Sequence, residues 1–238
     1  MVRQRNTALM RQFREDYRRF HRRRYEMLLD LLEEHVPYQA DRCLDVGGGG
    51  DVANLADVLV RRYARELHAI DQGGDVAIGR EKGIEVRECN VDVETFPYDE
   101  GFFDIVLFTS VIEHLYNPRH ALDEITRTLK PGGLLILETP NATAFGRRID
   151  ALFGKNPFRW FNEYNALGDK APMIYCAVFY SAHEIEVLLA RDYTVLVREY
   201  AMHDPPVNVF KWLVREMVSR VWPSLSDCFF IVAQRGPV

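Results

Sequence analysis

The run Arg42-Cys-Leu-Asp-Val-Gly-Gly-Gly-Gly-Asp51 sets a carboxylate, Asp45, near the end of an apolar stretch and follows it with four consecutive glycines, Gly47 to Gly50. Glycine lets the backbone turn tightly and lets a ligand lie against it. A helix-compatible run over 52–63 would add the unpaired N–H donors of a helix start. Together these features read as a site for a nucleotide-type cofactor. A second carboxylate, Asp71, ends the apolar run 67–70 and stands 21 residues beyond Gly50, near the spacing of an acid that accepts from ribose hydroxyls. A third, Asp92, follows the next apolar run, where an adenine edge would lie. Asp45 is ill suited to a phosphate, because like charges repel. It suits a cofactor bearing a cation or an amine, which points away from a dinucleotide and towards an amino-acid-bearing adenosine.

These residues need elements that hold them side by side. Apolar runs at 43–46, 67–70, 83–87, 103–109, 134–137, 194–200 and 229–233 read as strands. Helical spacing appears over 8–35 (Met10, Phe13, Tyr17 and Phe20, then Met27, Leu28, Leu31 and Leu32), and helices are also expected at 54–63, 118–129 and 182–190. Pro118 suits a first turn, Pro131-Gly-Gly is expected to close that helix, and Ser181 with Glu184 makes a capping box. Strands alternating with helices predict an α/β fold: a Rossmann-like, doubly wound, seven-stranded and mainly parallel sheet, with a helical N-terminal extension and an aromatic-rich cap insertion. Ligands of such sheets sit beyond the carboxyl ends of the strands, where strand order reverses. Asp45, Asp71, 90–92, Thr109 with Ser110, and 139–141 all fall on such ends and should form one rim.

A chain of 238 residues fits one domain. Hydrophobic content of 47% and charged content of 27% are those of a soluble globular protein, and apolar runs such as Gly132 to Leu137 fall far short of a membrane span. The first 25 residues lack the apolar core of a secretory leader. Cys43, Cys89, Cys176 and Cys228 are widely spaced, so reduced thiols in a cytoplasmic protein are expected rather than disulfides or a metal site. The net charge of −5 hides an asymmetry: nine arginines against Glu15 and Asp16 give residues 1–25 a charge of +7, which leaves −12 for the rest. The basic arm reads first as a solvated helix face, and otherwise as a surface for an anionic substrate, an acidic membrane or nucleic acid. The acidic remainder argues against nucleic acid, which needs a broad basic surface.

Four blocks, taken in order, resemble the class I S-adenosylmethionine-dependent methyltransferases: Leu44-Asp-Val-Gly-Gly-Gly-Gly, then Ala69-Ile-Asp, then Asp92-Val-Glu-Thr-Phe-Pro-Tyr with Phe103-Asp-Ile-Val, then Glu113-His-Leu. The run Thr128-Leu-Lys-Pro-Gly-Gly-Leu-Leu-Ile-Leu-Glu-Thr-Pro-Asn141 closes the set and is similar to the ubiquinone-biosynthesis-like, small-molecule branch. The resemblance implies a basic helical extension at 1–40 and an S-adenosylmethionine-binding methyltransferase domain at 41–238. It implies that Gly47, Gly48 and Gly49 bed the methionyl part and ribose, and that Asp45 lies near the methionine ammonium. Asp71 would bind the ribose with Gln72 beside the adenine, Asp92 and the Val93 N–H would read the adenine, and Ser110 would pass the methionine end. Asp51 departs from the family pattern, which expects a glycine there, and Gly50 stands one place early. His114, at the rim, is the best-placed general base near neutral pH, with Glu113, Tyr175, His183 and His203 as further candidates. No Asp, Asn or His set has divalent-metal spacing, so a metal-free enzyme is expected.

Two segments depart from simple alternation. Residues 141–180 carry nine aromatics and leave from the rim, so they read as a cap over the substrate. Residues 204–226 carry the stripe Phe210, Leu213, Val214, Met217 and Val221, which reads as a core or dimer helix, with membrane-surface contact as the alternative. The aromatic cap suggests a ring-bearing small molecule or a saccharide as acceptor. O-methylation is the expectation, with N- and C-methylation open. Two other readings remain: a methyltransferase-like scaffold without turnover, and a nicotinamide or flavin oxidoreductase, since Gly48-x-Gly50-x-x-Ala53 fits that fingerprint.

Overall fold

The computed structural model describes residues 22–36, 39–48, 62–72, 84–158, 178–202 and 209–237, and leaves undescribed the side chains at 209, 211, 212 and 215. Residues 54–61 of the expected helix at 54–63, residues 8–21, Gly49, Asp51, Cys176, Tyr175 and His203 lie outside the described residues, as do the aromatics Trp160, Phe161 and Tyr164.

Seven strands form one sheet: β1 Ala40–Val46, β2 Ala64–Asp71, β3 Glu85–Glu88, β4 Phe103–Thr109, β5 Leu129–Pro140, β6 Tyr193–Ala201 and β7 Cys228–Arg235. Their order is β3-β2-β1-β4-β5-β7-β6, and only β7 runs against its neighbours. Strand order reverses between β1 and β4, so the mainly parallel, doubly wound sheet expected from the sequence is present. The inner strands are buried on both faces, as in Leu44–Val46 and Ile105–Phe108, which is why they read as unbroken apolar runs rather than alternating ones.

Helix α1, residues 22–35, covers one face. Its Leu28, Leu31 and Leu32 pack with Cys43, Leu107, Ile136 and Phe230. Helices α2 Pro118–Thr128 and α4 Ala182–Leu189 cover the other, setting Leu122, Ile125, Ile185 and Leu189 against Leu44, Val106, Leu137 and Phe229. Each fully buried Leu or Phe side chain contributes about 1.5–3 kcal/mol from loss of water contact. Helix α2 starts as expected, with the Asn117 side chain accepting from the His120 N–H and Pro118 in the first turn. The capping box of α4 is formed by Ser181 and Glu184.

Helix α2 stops at Thr128, before Pro131-Gly-Gly, and that tripeptide lies inside β5. Pro131 disfavours a helical Lys130, and the register between β4 and β5 slips there, with Phe103 facing Leu129 but Ile105 facing Leu134. A Cβ on Gly133 would lie 2.9 Å from the Lys130 carbonyl and 3.0 Å from that of Asp104, so the irregularity needs a glycine. A second difference concerns α5, Val209–Val221. Phe210, Leu213, Met217 and Val221 are 74%, 48%, 64% and 67% exposed, so the stripe does not enter this chain's core. Both sheet faces already carry helices, and α5 lies beside α3, Phe145–Leu152, and is tied to α1 by an Arg23–Glu216 ion pair of 2.8 Å.

Candidate active site

The sheet brings the predicted rim together. Register pairs Asp45 with Ala69 on one side and with Leu107 on the other, and Thr109 with Glu138. The Gly47 N–H donates to the Ile70 carbonyl at 2.8 Å, which sets Asp71 beside the glycine turn, and the Cys89 N–H donates to the Asp71 backbone carbonyl at 2.9 Å, which brings in the 90–94 turn. The ends of β3, β2, β1, β4 and β5 therefore stand in sequence along one edge, across the point of strand reversal.

The centre of that edge is tightly fitted. Gly47 has φ +79°, a conformation glycine adopts without strain, and a Cβ there would lie 2.4 Å from a Val111 methyl. A Cβ on Gly48 would lie 2.4 Å from Asp45 Oδ2. Asp45 itself is 1% exposed, so its carboxyl group is held directly beneath the main chain of the turn. The turn thus offers bare backbone with one buried carboxylate below it and Asp71 beside it. Those acceptors suit a ligand with hydroxyls and an ammonium better than a pyrophosphate.

Other predicted residues are engaged within the protein. Asp71 Oδ1 accepts from the Gln72 N–H at 2.5 Å, and Gln72 is exposed. The Asp92 carboxylate accepts from the backbone N–H groups of Tyr116 (3.2 Å) and Asn117 (2.8 Å), while the Val93 N–H donates to the Asn90 carbonyl. Asp92 and Val93 therefore brace the loops after β3 and β4 in this structure.

Beside the turn lies a buried polar network that sequence reasoning missed in part. Ser110 has φ +53°, alone among the described non-glycine residues in the left-handed region, a strain of about 1–2 kcal/mol that persists only where neighbours enforce it. Its Oγ accepts from Arg24 Nη1 at 2.5 Å and donates to Glu138 Oε2 at 2.8 Å, and its N–H donates to the Glu138 carbonyl. Arg24 Nη1 also lies 3.5 Å from Glu138 Oε2, with the two residues 5% and 0% exposed. Arg24 belongs to the basic arm whose first reading is a solvated face, yet it is buried. The corrective signal is its place on the apolar stripe, four residues before Leu28, with a single glutamate ending the apolar run of β5.

On the other face, Thr139 Oγ1 donates to Glu113 Oε2 at 2.9 Å. Burial, with the negative Glu138 nearby as the second cause, pushes the Glu113 carboxyl up to about 8, so it is protonated at neutral pH. His114 Nε2 lies 3.9 Å from Glu113 Oε1, too long for a hydrogen bond. The His114 side chain is 37% exposed at the rim, whereas His183 lies on the exposed side of α4.

Both ends of segment 141–180 are fixed at this edge. Asn141 bridges Tyr180, the Ala142 N–H donates to the Tyr180 carbonyl at 2.8 Å, and the Val178 N–H donates to the Glu113 carbonyl at 3.2 Å. Phe158 and Phe179 stack with centroids 4.1 Å apart, and Arg147 lies 5.4 and 5.0 Å from their ring centres.

The chain is similar to known methyltransferases. A family model described as a methyltransferase domain matches residues 13–193. A ubiquinone biosynthesis O-methyltransferase of Paracidovorax citrulli is 30% identical over 204 residues, covering 76% of this chain and 79% of that protein. One of Agrobacterium fabrum is 28% identical over 130 residues, covering 53% and 51%. The chain spans about half the length of the first curated relatives it matches. Among solved structures, the N-methyltransferase NodS of Bradyrhizobium japonicum, in complex with S-adenosyl-L-homocysteine, has the same fold at a TM-score of 0.58 and 17% identity, over 92% of this chain and 88% of that one.

Proposed function

The chain belongs to the methyltransferase-domain family, and from that premise we propose that it transfers a methyl group from S-adenosylmethionine to a hydroxyl of a ring-bearing small molecule or saccharide. The observation that carries the proposal is the glycine turn at the strand reversal, with Asp45 buried below it and Asp71 beside it. S-adenosylmethionine supplies a methyl group already activated on a sulfonium. The protein's own work is therefore positioning, which lowers such barriers by about 7–11 kcal/mol. Asp71 accepts from the ribose hydroxyls, Gly47 and Gly48 give room against the main chain, and the Asp45 carboxylate attracts the ammonium. Gly49, Gln72, Asp92 and Val93 complete the cofactor set in the family pattern. The bonds that Asp92 and Val93 make to their own loops leave them the outer wall of the adenine pocket. His114 is the group that takes the acceptor's proton.

The acceptor reading rests on the anchored cap and its stacked Phe158–Phe179 pair, flat apolar surfaces that suit a ring. The names of the curated relatives favour oxygen as the attacking atom. The exposed faces of α3 and α5, with Leu152, Phe153, Phe210 and Met217 out and Arg148, Lys155 and Arg220 nearby in sequence and exposed, suit contact with an anionic membrane surface.

Incubation with methyl-labelled S-adenosylmethionine and acceptor extracts tests the activity, and calorimetric titration with S-adenosylhomocysteine tests the cofactor. One-to-one binding that Asp71→Ala weakens by about tenfold or more is expected, since a charged hydrogen bond is worth about 1.5–3 kcal/mol. No binding by the parent chain would remove the proposal, and binding without turnover of any acceptor would favour a scaffold.

A further inference from the structure

We propose that Arg24 of α1 is a positioning residue for the cofactor site, acting through Ser110 as a clamp on the turn after β4. The proposal rests on the S-adenosylmethionine reading above and adds the N-terminal helix to that site.

The links are each on the molecule. Arg24 donates to Ser110 Oγ at 2.5 Å, and Ser110 passes a hydrogen bond on to Glu138 at 2.8 Å, so the hydroxyl is held from two elements, α1 and β5. Ser110 carries the left-handed backbone at φ +53°. A strained residue of this kind is kept only where its surroundings over-determine it, and such residues gather where geometry matters to function. The next residue, Val111, has its methyl 2.4 Å from where a Cβ on Gly47 would be, so the Ser110 turn sets how closely the chain after β4 approaches the glycine turn. Arg24 and Glu138 are 5% and 0% exposed, so they are engaged with Ser110 and each other inside the protein rather than at its surface. Arg24 also supplies the countercharge that lets Glu138 stay buried. A helix whose apolar stripe alone would hold it to the sheet thus carries one charged residue aimed at the site.

The proposal separates from a purely structural role. A buried ion pair can often be exchanged for an apolar pair of similar size with little loss of stability. Arg24→Met with Glu138→Leu keeps the packing and removes the hold on Ser110. Arg24→Lys keeps the countercharge, and so the fold, but replaces the planar multi-donor guanidinium by a single ammonium on a shorter reach. Affinity for S-adenosylhomocysteine by calorimetry is read beside the melting temperature of the ligand-free protein. The clamp predicts melting temperatures near that of the parent, with affinity about tenfold lower in the double variant and several-fold lower in Arg24→Lys, because small misplacements of a site are costly. Parent-like affinity in whichever of the two variants folds would overturn the clamp. Failure of the parent chain itself to bind S-adenosylhomocysteine would instead strike the cofactor reading.

Discussion

Glu113 and Glu138 are two carboxyl groups near one site with different partners. Glu138 faces Arg24, whereas Glu113 faces Thr139 and a nearby negative charge, and burial pushes it up to about 8. A carboxyl raised in the folded protein binds its proton more tightly there than in the unfolded chain. Its contribution is therefore fully present below the unfolded value, near 4.5, and is lost as pH rises towards 8. Glu113→Gln, which copies the protonated form, should match the parent at pH 3.5 and exceed it at pH 8.5 by on the order of 4 kcal/mol in denaturant melts. Equal stability at both pH values would show that Glu113 is ionised in the fold. None of this was legible in the sequence, where Glu113 is one letter beside His114. Asp45 and Asp71, by contrast, were legible because each ends an apolar run that could only be a buried strand. Asp92 was legible as a strand-end acid, but not its bonds to Tyr116 and Asn117, which depend on how the next loop folds back.

At the scale of elements, local signals worked where one residue's chemistry decides the outcome, as in the Ser181–Glu184 capping box and Pro118. They failed where two elements decide it together. Pro131-Gly-Gly reads as a helix stop, yet it serves an irregular pairing of β4 and β5 that no single segment reveals. The stripe on α5 has the spacing of a core helix, and what excludes it from the core is that the sheet faces are already covered. Its exposure yields a prediction. The parent chain should co-sediment with vesicles of mixed neutral and anionic lipid and not with neutral ones. Phe210→Asp combined with Met217→Asp should abolish this while changing folding stability by no more than about 0.5 kcal/mol, as exposed substitutions do. A parent chain that ignores anionic vesicles, or that runs as a dimer broken by the same variant, would assign the stripe to protein contact.

For the molecule as a whole, the parallel sheet, its reversal and the polar rim follow from alternation of strands and helices, and they were readable because parallel strands are apolar on both faces. The union of α1 with the site was legible only in part, because the place of Arg24 on the apolar stripe marks it as inward-facing but does not say which strand end it meets. No described helix is long and apolar enough to cross a membrane. A crystal structure of the chain grown with S-adenosylhomocysteine should show the ribose against Asp71 and the amino-acid end over the Gly47–Gly48 turn, between the tips of β1 and β4. The same ligand bound at another edge of the sheet, or those tips drawn apart around it, would contradict the account.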